Sequence, residues 1–74
     1  MARAGYLAGA DSAFRSAAAA NPRETRAYYM LGLVDMQLGK RDEAQAALNR
    51  FLTVAPRRYV DLIADARQRL AALQ

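Results

Sequence analysis

Apolar residues recur at three- and four-residue spacing along most of this chain, and nowhere alternate over a long stretch. Tyr28, Leu31, Val34 and Leu38 trace one stripe and predict a helix over residues 25–38. Ala44, Ala47, Leu48, Phe51 and Leu52 predict a second over 42–54, and Leu62, Ile63, Ala66, Leu70 and Leu73 a third over 59–73. Upstream, Leu7, Ala10, Phe14 and Ala17 predict a helix over 6–20. The punctuation fits. Gly39 can take the left-handed conformation that ends a helix. Asp42 and Glu43 place carboxylates in a first turn, where the helix dipole favours them. Pro22 and Pro56 push the residue before them out of the α region. The pattern is that of an all-α chain of about four antiparallel helices, and the abundance of Ala, Leu, Arg and Gln agrees with it.

The two prolines stand 34 residues apart, and the same offset relates other positions. Gly5 falls on Gly39, Ala10 on Ala44, Ala13 on Ala47 and Phe14 on Leu48. An internal period of this length marks a solenoid of helical hairpins, in which each hairpin buries its apolar face on its neighbours.

Between the prolines the chain resembles the tetratricopeptide repeat. Tyr28 matches that family's aromatic position, Leu31-Gly32 its Leu-Gly pair, and Ala44, Leu48 and Pro56 its Ala, large apolar and Pro positions. Gly39-Lys40-Arg41-Asp42-Glu43-Ala44 is similar to the family's turn. Asp35 departs from the pattern, standing where a Tyr is usual, and Phe51 stands where Ala is commoner. The resemblance implies one domain over residues 1–74: the second helix of a partial repeat (1–22), a complete repeat (23–56) and a C-terminal capping helix (57–74). In that last segment Ala66 takes the place of the small Gly and Asp65 that of the preceding Leu, a polar choice that suits a cap on the array.

Composition removes several functions. The 74 residues contain no Cys and no His, so disulfides, the common zinc sites and Ser-His or Cys-His nucleophile pairs cannot be built. Gly5-Tyr6-Leu7-Ala8-Gly9 lacks the following Lys-Ser/Thr and the preceding strand of a phosphate loop. The chain is expected not to be an enzyme and to carry no cofactor. No apolar run approaches the ~18 residues needed to span a membrane, and no signal peptide is visible. The predominance of Ala and Arg points to a GC-rich bacterial genome, while compartment is unreadable. Net charge is +4. The arginines are scattered and lack interleaved aromatics, so they read as a solvating surface, with a basic helical nucleic-acid-binding module as the rival reading.

The resemblance also implies where a partner sits. In this family the first helices of successive repeats line a concave face that receives a helix or peptide of another protein. Carried over, that face is Arg26, Tyr29, Met30, Leu33, Met36 and Gln37, joined by Val60, Ile63 and Arg67 of the last helix. The Lys and Asn with which some members clamp a C-terminal carboxylate are replaced by Tyr29 and Leu33. The face is apolar instead, and its two methionines suit an adaptable helix-binding surface. Arg57-Arg58 reads as a solvated loop, and Asp61 and Asp65 as surface ion-pair partners of Arg67 and Arg69. The expected function is protein–protein interaction, as an adaptor or accessory subunit of a larger assembly.

Leu7, Ala10, Phe14 and Ala17 would remain only partly covered by the helices counted here. A second copy of the chain, another subunit or further repeats of a longer parent chain is expected over them, because about three repeats are normally needed for stability. Sedimentation of the purified chain should therefore show self-association or poor folding, and a well-folded monomer at all concentrations would contradict this expectation.

Overall fold

The computed structural model describes the backbone of residues 2–21 and 23–73, with side chains from Gly5 onward within those ranges. Among the described residues four α-helices follow one another: α1 (Ala2–Ala20), α2 (Thr25–Gln37), α3 (Arg41–Val54) and α4 (Val60–Leu73), with a 3-10 turn at Arg57–Tyr59. Each α-helix packs on the next in sequence, α1 on α2, α2 on α3 and α3 on α4. The body measures 37 × 29 × 18 Å, so it is about two helix diameters thick, the section of a helical-hairpin solenoid. Among the described residues no helix is long and apolar enough to cross a membrane.

Helix ends follow from local chemistry. Gly39 has φ 77°, the left-handed geometry that only glycine adopts without strain. Its N–H bonds the Met36 carbonyl at 3.2 Å, and the Lys40 N–H bonds the Asp35 carbonyl at 2.8 Å, the double closure of a Schellman ending. At the other end of the α2–α3 hairpin Ala55 is extended ahead of Pro56, which releases the chain from α3. Pro22, expected to stop α1, lies outside the described residues. The start of α4 differs from expectation: Arg57 and Arg58 are not an open loop but two residues of the 3-10 turn, both exposed, with Arg58 over the Tyr59 ring at 5.3 Å.

The apolar core lies between α2, α3 and α4. Leu48, Phe51, Ala66 and Leu70 form its buried cluster, with Tyr28, Tyr29, Met36, Leu52, Tyr59, Leu62, Ile63 and Leu73 packed around it. Phe51 is wholly buried and meets the Tyr29 ring at 5.3 Å between centroids, tilted by 50°. The small Ala66, itself wholly buried, belongs to the same cluster, so the bulky residue at one place is accompanied by a minimal one on the next helix. The C-terminal turn of α4 is tied back to the start of α3. Arg41 Nε donates to the Leu73 carbonyl at 2.6 Å and Gln45 Nε2 to the same oxygen at 3.4 Å, giving partners to a carbonyl that the helix leaves unsatisfied.

The α1–α2 seam departs from the expected stripe. Ala17 is exposed while Ala18 is buried, and Asp11 is buried beside the half-buried Ala10. The seam is therefore turned by one residue from the line through Ala10 and Ala17. The reason is electrostatic: Asp11 is bonded to Lys40 across the seam, and its neighbour Arg15 reaches Asp35 and Glu43.

Gly32 sets the approach of α2 to α3. A Cβ at this position would lie 2.6 Å from Leu48 Cδ2 and 2.7 Å from Leu48 Cγ, closer than carbon atoms tolerate. Leu48 is wholly buried, so it has no room to withdraw. Replacing Gly32 with Leu should cost about 1–3 kcal/mol by overpacking. Urea denaturation measures it, and an unchanged midpoint would show that the helices can separate freely here.

Candidate functional site

The nine residues expected to face a partner divide into two groups. Tyr29, Met36 and Ile63 are half-buried and pack against the core cluster. Leu33 is also half-buried, whereas Arg26, Met30, Gln37, Val60 and Arg67 are exposed. The apolar strip is thus narrower than its sequence suggests, because Tyr29, Met36 and Ile63 already serve the α2–α3–α4 core. The helix spacing still leaves Arg26, Met30, Leu33 and Gln37 along one face of α2.

Two of these residues open toward α1 rather than α4. Arg26 and Met30 line a cleft of about 360 Å³ together with Ala27, Glu24 and, from α1, Phe14 and Ala17. Met30 is 38% exposed, one of three exposed large apolar side chains among the described residues, with Tyr6 and Val60. The cleft has an apolar floor with a cation and an anion at its rim, a surface suited to packing and orientation. Among the described residues no group of three His, Cys, Asp or Glu side chains is placed to hold a metal ion.

Toward α4 the site is closed by a polar bridge. Tyr29 Oη donates to Asp65 Oδ2, and Arg69 Nε donates to the same oxygen at 2.6 Å, one turn along α4. Asp65 thus forms the ion pair expected with Arg69, but its larger role is to fasten α2 to α4, which its place in the sequence did not disclose. The available signal is a polar residue beside the buried Ala66 of α4, and its partner comes from the neighbouring helix. Asp61, Arg67 and Gln37 take part in no such bond among the described residues. The Tyr29 hydrogen bond, followed by Arg69, holds the Asp65 carboxyl below its ordinary range. Burial, reinforced by the facing Asp65 carboxylate, pushes the Tyr29 phenol up, so it remains a donor at all physiological pH. Because Asp65 is depressed on folding, its contribution is present above its unfolded value near 3.9 and is lost as the pH falls through its folded value.

Asp35 went unforeseen as a structural residue. It lies four residues after Leu31 and four before Gly39, on the inward face of α2, and is wholly buried. Its departure from the repeat's usual Tyr was legible, but the Arg15 partner that makes its burial tolerable comes from α1.

Residues 25–58 match the family model described as tetratricopeptide repeat. No curated protein and no solved structure gives a significant match to the chain. The matched segment runs from the first residue of α2 into the 3-10 turn after Pro56, the complete helical hairpin of the structure.

Removing the Tyr29 hydroxyl in Tyr29→Phe should lower stability by about 0.5–1.5 kcal/mol, the usual net worth of such a bond. The variant should also lose part of its acid sensitivity below about pH 4, because Asp65 would then titrate closer to its ordinary value. Thermal unfolding across that range checks both, and identical curves would remove the bridge from the account.

Proposed function

We propose, starting from residues 25–58 being a tetratricopeptide repeat, that this chain is a protein-interaction module that receives a helix or short peptide segment of a partner protein along α2. Tetratricopeptide repeats generally mediate protein–protein interaction and are a non-catalytic family. The more specific reading is that of an adaptor or accessory subunit, with 23–56 as the complete repeat, 1–22 as the second helix of a partial one and 57–74 as a capping helix.

One observation carries this reading. Met30, flexible and 38% exposed, opens into the cleft shared with Phe14, Ala17 and Ala27, and the half-buried Leu33 continues the strip one turn further along α2. An apolar side chain of a partner helix would leave water on entering this cleft, at roughly 25 cal/mol per Å² of apolar surface. Arg26 and Glu24 at the rim supply orientation, and Met30 supplies the adaptability that helix-binding grooves use. Tyr29 and Met36 support the strip from beneath, held in place by Phe51 and the core.

The test is direct. Partners recovered on the immobilised chain are identified, and their binding is measured against Met30→Asp and Leu33→Asp. Both variants should bind at least about tenfold more weakly, a loss of about 1.4 kcal/mol or more, while melting near the wild-type temperature because both positions are partly solvated. The affinity should depend weakly on salt, whereas contacts to nucleic-acid phosphates would give a steep log–log slope. Undiminished binding by both variants would move the interaction away from α2.

A further inference from the structure

The α1–α2 seam holds a cluster that partner binding does not use. The Asp11 side chain of α1 is 6% exposed and that of Asp35 on α2 is 0% exposed. Their cations all approach on one side. Arg15 Nε lies 3.3 Å and Lys40 Nζ 3.1 Å from Asp11 Oδ2, and Arg15 Nη2 lies 3.3 Å from Asp35 Oδ2. Glu43 on α3 completes the cluster, with its Oε2 2.8 Å from Arg15 Nη2 and 3.8 Å from Lys40 Nζ. The Oδ1 atom of each aspartate is left buried with no hydrogen-bond donor.

Two buried carboxylate oxygens without a donor in one seam are costly, and their mutual repulsion adds to the desolvation. The charge count makes the same point. Arg15 and Lys40 balance two anions, but Asp11, Asp35 and Glu43 are three. A single proton on one aspartate resolves both problems, since it neutralises the excess charge and makes one orphan acceptor a donor. Asp35 is the group to carry it, because Asp11 faces two cations while Asp35 faces only Arg15, shared with Glu43.

We propose that Asp11 and Asp35 form an acid–carboxylate pair, with a proton taken from solvent held on Asp35 Oδ1 and donated to Asp11 Oδ1, and that this proton controls how firmly α1 docks on α2. Loss of the proton leaves two charged carboxylates in the seam and loosens α1.

The electrostatics of each group agree. Burial, then the hydrogen bond and charge of Asp11, raise Asp35 to about 7. Burial also pushes Asp11 up, but hydrogen bonds from Asp35, Lys40 and Arg15 outweigh it and hold Asp11 below its ordinary value. Asp35 is raised on folding, so its contribution is complete below its unfolded value near 3.9 and is lost as the pH rises through about 7. Asp11 is lowered, so its contribution is present above that unfolded value and is lost only in acid. The seam is therefore firmest in mild acid and weakens toward neutral pH.

Side-chain carboxyl carbon NMR on the intact chain reads the proton itself. Asp35 should titrate with a midpoint near 7, and a midpoint below about 5, close to an ordinary aspartate, would overturn the proposal. The wild-type folding constant should fall with pH by up to about tenfold per unit between about pH 5 and 7, the limit for one linked proton. Asp35→Asn presents an amide N–H to Asp11 without a titrating proton. It should flatten this dependence and exceed the wild type at about pH 8, where the wild type has lost its proton. An Asn variant with the wild-type slope would equally overturn the proposal, and if that variant does not fold, the carboxyl midpoint alone decides. Amide exchange separates the docking claim from a merely global effect: above about pH 7, after correction for intrinsic rates, α1 should lose protection before α3. Equal loss in both would restrict the proton to overall stability and refute control of α1.

Discussion

The close approach of α2 to α3 at Gly32 is the constraint on which the other contacts depend. Leu48 occupies the space where a side chain at Gly32 would stand. This nesting brings the two helices near enough for Phe51, one turn along α3, to reach the Tyr29 ring. With Phe51 in place, Ala66 and Leu70 of α4 have a surface to close upon. A wider α2–α3 spacing would leave cavities along this whole line, and buried cavities lose both transfer energy and dispersion contacts.

The helix seams use different physics on the two sides of α2. Toward α3 and α4 the contact is mainly apolar, with one polar bridge from Tyr29 through Asp65 to Arg69. Toward α1 the buried groups include Ala18, Ala27 and the charged cluster around Asp11 and Asp35. An apolar seam is nearly indifferent to pH, whereas a buried charged seam depends on the protonation of each member. Within a single small solenoid the inner seams can thus stay fixed while the outer one responds to its surroundings. The cleft containing Met30 lies on that responsive side, between α1 and α2.

The helices, their order and most of their ends were legible because they follow from short-range rules. Spacing of apolar residues, the left-handed Gly39 and the extended residue ahead of Pro56 each act within a few positions of the chain. The helical-hairpin repeat was legible for a similar reason: Leu31-Gly32, Ala44, Leu48 and Pro56 keep their spacing whatever surrounds them, and residues 25–58 match the repeat family. The register of α1 was less accessible. Its apolar stripe suggested Ala17 at the seam, and the structure places Ala18 there, because charge pairing with residues about 20 to 29 positions distant outweighs a few small apolar contacts.

By itself the sequence determined an all-α repeat without the side chains for zinc or histidine-dependent chemistry, since composition and periodicity are properties of the chain alone. Only the tertiary structure decided the environments of its aspartates and of its partner-facing strip. Asp35 sits within the repeat and Asp65 on the helix after it, and nothing local distinguishes them. One became wholly buried among charges from three elements, while the other became the acceptor that fastens α2 to α4. Likewise Tyr29, Met30 and Met36 share a helix face in sequence, yet packing turned Tyr29 and Met36 to the core and left Met30 open beside α1. Burial and charge pairing are set by distances between residues far apart in the chain, and those distances exist only once the helices have packed.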